Sequence, residues 1–174
     1  MKSDSIERYG TVSRFFHWVI ATLVLWQAMK VFDRINDGEH WVGETLVPWH
    51  ISIGALILVL VLLRIVWASR NLSNRPPAPP GVLGVLARAG HIIIYIALVF
   101  LPIAGMSFMI GKGHGLTIFG MELVSRGTEI PWLAAIGELH SPVALFLLAV
   151  LAGHVVMAFW HQFVRKDGLL RRML

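Results

Sequence analysis

Four long apolar runs, with nearly all of the charge collected between and beyond them, set the pattern of this 174-residue chain. They cover residues 14–31 (RFFHWVIATLVLWQAMKV), 50–68 (HISIGALILVLVLLRIVWA), 90–110 (GHIIIYIALVFLPIAGMSFMI) and 140–164. Each is close to the roughly 20 residues that a helix needs to cross the hydrocarbon core of a bilayer. The pattern predicts an all-α, integral membrane four-helix bundle that forms a single domain over residues 1–174. Pro102 inside the third run predicts a kink and not a break, because a membrane helix can re-satisfy the freed backbone groups. The first run is read as a retained helix and not a cleaved leader, since it carries His17 and Gln27 and no small-residue cleavage site follows Lys30. Between the second and third runs, RNLSNRPPAPPGVLG predicts an extended polyproline spacer with no helix of its own. The segment 111–137 is long enough for a short surface helix.

Composition supports a bilayer setting. The chain is 56% apolar and 14% charged, against about 25% charge in an ordinary soluble domain. It has no Cys, which removes disulfides, iron–sulfur clusters and thiol chemistry. The net charge of +5 would suit nucleic acid if it were spread over one face. It is instead gathered in short clusters beside apolar runs, so the expected partner is the lipid bilayer and no nucleic acid. Three segments carry most of it: the start of the chain, the stretch between runs two and three, and the tail. With their flanks they hold eleven Lys and Arg against Asp4, Glu7 and Asp167, a total of +8. The other two segments hold Lys30, Arg34, Lys112 and Arg126 against seven carboxylates, a total of −3. The positive-inside rule therefore places both termini and the Pro-rich loop in the cytoplasm.

Histidine is the residue out of place. Ionisable groups are costly within a bilayer and mark sites when they occur there. Of eight His, His40 and His114 fall in outer loops and are expected to be solvated. His17, His91, His154 and His161 lie towards the cytoplasmic side, and His50 and His140 near the outer surface. The interval from His140 to His154 is fourteen residues, a rise of about 21 Å and almost four full turns. Both imidazoles then leave one helix face at opposite membrane depths, as two stacked cofactors would require. Each needs a second ligand from another helix, for which the outer site can draw on His50 and the inner on His17. Six-coordinate haem iron accepts two imidazoles axially, whereas zinc would want a compact tetrahedral cluster. The spacing thus points to two haems. Gly54, Gly137 and Gly153, close to these histidines, are positions where backbone can approach a porphyrin.

His91 and His161 stand beside the inner site as further ligand candidates or, preferably, as neighbours of a quinone. Arg64 repeats the fourteen-residue interval from His50, which turns it to the interior at inner depth. There it suits a haem propionate or a quinone carbonyl.

In order and at these spacings, RYGTVSRFFHW, WHISIGALILVLVLLRIVW, LARAGHIIIYIALVFLPIAGMSFM, LHSPVALFLLAVLAGH and the tail HQFVRKDGLLRRML resemble the bacterial cytochrome b-561 family, in the branch that includes superoxide oxidase. The resemblance implies a bacterial inner-membrane cytochrome with two non-covalent b haems. His17 would pair with His154 on the cytoplasmic side and His50 with His140 on the periplasmic side, with His91 in the place of a non-ligand histidine. It also implies electron transfer between a periplasmic donor, superoxide or a redox protein, and membrane ubiquinone. In the superoxide-oxidising members a positive outer surface attracts the anion. Here the outer loops sum to −3, and Lys112, His114 and Arg126 are the residues that would make a local positive patch. The alternative from another class is a membrane-anchor cytochrome b subunit of a multisubunit hydrogenase or dehydrogenase. A haem-free transporter would need carboxylates within the spans, and the second to fourth runs have none.

Overall fold

The structure is a computed structural model that describes residues 3–33 and 41–174. Lys2, Arg34, Asp37, Glu39 and His40 lie outside the described residues.

The main elements of the described residues follow in chain order. They are α1 (Thr11–Ala28), α2 (Lys30–Asp33), α3 (Trp41–Thr45), α4 (His50–Arg70), α5 (Val82–Gly111), β1 (Leu116–Ile118), β2 (Met121–Val124), α6 (Pro131–Glu138) and α7 (His140–Trp160). The fold is all-α apart from β1 and β2, a small antiparallel hairpin that the sequence pattern does not announce.

Among the described residues, three stretches are long and apolar enough to cross a membrane, Trp41–Arg70, Val82–Gly111 and Pro131–Arg165. The helix of the first run, α1, has 18 residues, a length of about 27 Å. Arg14, His17 and Gln27 dilute its apolar character. It nevertheless shares the core: Ile20 packs with Ile53, Ile57 and Val61 of α4, Ala97 and Leu98 of α5, and Leu147 of α7. Leu62, Leu63, Ile93, Phe146 and Val156 point outward and exposed, as suits helices solvated by lipid.

Two boundaries differ from expectation. The Pro-rich spacer is shorter than the sequence suggests, because α5 starts at Val82, well before Gly90. Gly84 makes this start workable, since a Cβ there would collide with the Pro79 carbonyl. A single turn at Leu72–Asn74 also interrupts the spacer. Through Pro102 the helix α5 runs on without a break.

The chain's polar segments sort to the two ends of the bundle. At one end Asp4 is buried and its carboxylate accepts hydrogen bonds from Gly10 N (2.7 Å) and Ser13 Oγ (2.8 Å) at the start of α1. A carboxylate there also meets the positive end of the helix dipole, worth about 0.3–1 kcal/mol. Arg75 of the spacer pairs with it at 3.6 Å. The tail joins the same end: Trp18 Nε1 donates to the Met173 carbonyl (3.0 Å), Arg172 donates to the Pro77 carbonyl (3.1 Å), and Arg14 donates to Leu174. At the other end Phe119 N donates to Ser52 Oγ (2.9 Å), which ties the hairpin to α4. The start of the chain, the spacer and the tail thus share one end. The segments 41–49 and 111–137 share the opposite one.

Candidate functional site

At the end that carries the hairpin, α4 begins with His50 and α7 begins with His140. Their ring centres are 5.9 Å apart and the rings are nearly perpendicular, at 77°. A metal-bound imidazole nitrogen sits about 2 Å from the metal and the ring centre about 1 Å further, so two imidazoles trans on one iron have ring centres about 6 Å apart. The observed separation fits. Both residues line a cavity of about 520 Å³ bordered by α1, α4, α5 and the first half of α7, within the range of cofactor sites. Its wall is mostly apolar, from Ile57, Leu98, Met106, Leu148 and their neighbours.

His140 is held for ligation. Its Nδ1 lies 2.8 Å from the Leu101 carbonyl oxygen, which fixes Nδ1–H as the donor and leaves Nε2 for a metal. Gly105 lets the ring lie against α5, since a Cβ there would stand 3.2 Å from both Cε1 and Nδ1 of His140. Sequence reasoning missed Gly105, because it lies on a different helix 35 residues from the histidine it serves. The three glycines read from the sequence divide. Gly54 lines the cavity. Gly137 also borders it, but a Cβ there would strike the backbone of Phe108, so it lets α6 press onto α5. Gly153 faces open space.

At the opposite end His17, Arg64, His91 and His154 form one cluster. Arg64 lies 3.3 Å from His17 Nδ1 and stacks over Tyr95 at 5.4 Å. The rings of His91 and His154 meet edge to face at 5.2 Å. His91 is exposed, and its Nδ1 is 2.6 Å from the Ala87 carbonyl oxygen. Among the described residues no three His, Cys, Asp or Glu side chains converge as a bare-ion site requires.

His161 lies just past the regular helix. A π turn over His161–Arg165 follows α7, and the ring is buried with Nδ1–H donating to Asp167 Oδ2 at 2.6 Å. Burial pushes the Asp167 carboxyl up, but the bonds from His161 and Leu169 N–H, together with Arg165, outweigh it and hold the group below its ordinary range.

The outer positive patch is weaker than the sequence suggests. Lys112 pairs with Glu129 at 3.1 Å and Glu138 at 3.7 Å, and the hydrogen bond it donates to Glu129 chiefly raises its pKa. Its charge is matched twice over, which leaves Arg126 and the exposed His114.

Facing imidazoles across a cofactor-sized cavity, between helices suited to a bilayer, are the marks of a haem-binding membrane protein. The match over residues 8–174 makes this chain a member of the prokaryotic cytochrome b561 family, a membrane redox protein for which b-type haem is the implied cofactor. It is 29% identical to "Cytochrome b561 homolog 2" of Escherichia coli (strain K12), over 99% of this chain and 94% of that protein. It is 26% identical to "Probable superoxide oxidase CybB" of Yersinia pestis, over 97% and 96%. Identity to "Cytochrome b562" of Cereibacter sphaeroides is 28%, over 95% and 94%.

Proposed function

We propose that this chain is a dihaem b-type cytochrome of the bacterial inner membrane that carries electrons between a periplasmic donor and membrane ubiquinone. On this reading residues 1–174 are one domain with four spans, α1 included, and both termini are cytoplasmic. The observation that carries it is the fourteen-residue interval on α7, which sets His140 at the outer cavity and His154 in the inner cluster, about 21 Å apart along the helix. The shared end of the start, spacer and tail supports the topology, because those three segments hold the +8 side of the charge balance.

Haem bound at each end supplies one-electron redox chemistry. His50 and His140 hold the outer group, and His17 and His154 the inner. His91 is exposed, its Nδ1 lies against the Ala87 carbonyl, and its ring meets His154 edge to face at 5.2 Å. This favours His91 as a neighbour of the site and His17 as the ligand. Converting ubiquinone to the quinol takes two electrons and two protons. Arg64 is placed to donate to a quinone carbonyl, while His91 and His161 are the candidate proton donors, replenished from cytoplasmic water. For superoxide as donor, the doubly matched Lys112 leaves little field to draw an anion to the outer face. A periplasmic redox protein is therefore the better-supported donor.

The test uses the reduced holoprotein mixed with a soluble ubiquinone. Arg64→Gln and His91→Ala should each keep both haems yet slow reoxidation at least tenfold, about 1.4 kcal/mol of barrier. Wild-type rates in both variants, with both haems retained, would place the quinone elsewhere.

A further inference from the structure

The two imidazoles of the outer cavity are not held alike. His140 has the Leu101 carbonyl behind its Nδ1, whereas the described hydrogen bonds include none from the His50 ring. What reaches His50 is the side chain of Gln27 from α1, whose Nε2 donates to the His50 carbonyl oxygen at 2.8 Å. That contact sets the sense of the amide, because a carbonyl oxygen takes a donor and only the nitrogen end can supply one. Gln27 Oε1 is therefore the free end, and it is buried with no hydrogen-bond donor. A buried amide oxygen left without a donor is costly, and more so in a membrane where water is scarce. Gln27 and His50 line the same cavity wall. The nearby indole of Trp26 is turned away, its Nε1 towards the Leu46 carbonyl at 3.5 Å. One wall thus holds an acceptor in need of a donor and an imidazole in need of an acceptor.

We propose that Gln27 is the positioning residue for His50: with iron in the cavity, the His50 ring gives Nδ1–H to Gln27 Oε1 and Nε2 to the metal. One amide then holds both the backbone and the ring of the ligand, the counterpart of Leu101 behind His140. Such an acceptor makes an imidazole a more basic ligand and favours the oxidised metal. The inference rests on the outer haem of the proposed function.

The experiment is a redox titration of the holoprotein that follows each haem separately, with Gln27→Leu and Gln27→Glu compared to wild type at alkaline pH. Gln27→Leu removes the acceptor and should raise the midpoint potential of the outer haem. Gln27→Glu substitutes a stronger acceptor and should lower it, with the inner haem unchanged in both. A purely structural tie between α1 and α4 would move both variants the same way, and that result overturns the proposal, as does an unchanged outer potential in both. Should Gln27→Leu lose the outer haem, Gln27→Glu decides alone: lowered supports the role, and unchanged or raised overturns it. A wild-type protein with no outer haem would instead overturn the dihaem reading and take this inference with it.

Discussion

At the end that carries the hairpin, the outer end of the proposed reading, two imidazoles line a cavity of about 520 Å³, while at the opposite end His17 lies against Arg64 and His91 against His154. The outer site is shaped in advance by groups that belong to the scaffold: a carbonyl behind His140, a missing side chain at Gly105 and an amide at Gln27. The rest of its wall is mostly apolar, with Lys30 and Glu138 among the lining residues, which suits a site that holds a redox group in a fixed place. The inner cluster offers more imidazoles than one iron accepts, and a donor besides. It lies next to a polar cap of Asp4, Arg75 and the tail. Excess donors beside a ligand set suit a place where electrons and protons leave together. On the proposed function, one end serves for holding and the other for exchange.

The sharpest way to break this contrast is to fill the space beside one ligand. Gly105→Val should push the His140 ring off its carbonyl and lose the outer haem, leaving one haem per chain. Gly153→Ala, which meets open space, should keep both. Equal haem content in the two variants, measured on purified protein, would mean that the outer site is not preshaped as described.

A smaller effect is expected where glycine serves packing alone. At Gly137 a Cβ would meet Phe108 backbone, and overpacking of this kind costs about 1–3 kcal/mol. Gly137→Ala should lower the midpoint of thermal unfolding while both haems remain. An unchanged midpoint would show that α6 yields easily.

Smallest is the effect at the tail. Because the Asp167 pKa is lowered on folding, its contribution is complete above the ordinary carboxylate pKa and fades as pH falls through the lowered folded value. Asp167→Asn should therefore destabilise slightly at neutral pH, and the difference should vanish in strong acid. The group is near the surface, so screening keeps the effect small. A difference that grows as pH falls would contradict the linkage.

How much of this was legible in the chain depends on how far each signal reaches along it. The four helices and the His140–His154 interval were legible because both depend on periodicity within one helix. The interior placement of Arg64 followed from the same arithmetic, and it does lie beside His17. What remained hidden rests on pairings between distant segments. Gly105 is small for the sake of a ring on another helix, and Gln27 reads in the first run only as a polar interruption. The β1–β2 hairpin carries too few residues to stand out from its loop, and its tie to Ser52 crosses 67 positions. Lys112 reads locally as part of a positive patch, because nothing near it in the chain shows that Glu129 and Glu138 fold back onto it. The π turn and the Asp167 contact set the place of His161, and neither shows in the periodicity of the fourth run.

The central claim is that one chain holds two b haems, one at each end. It is tested most directly by the haem-to-protein ratio of the purified membrane protein, measured for wild type and for His17→Ala, His50→Ala, His140→Ala and His154→Ala. The account predicts two acid-extractable haems per wild-type chain, since no Cys is present for thioether links. It further predicts one remaining in each variant, with His50→Ala and His140→Ala losing the same outer haem and the other two losing the inner. A ratio of one in the wild type, with all four substitutions removing that same haem, would contradict it.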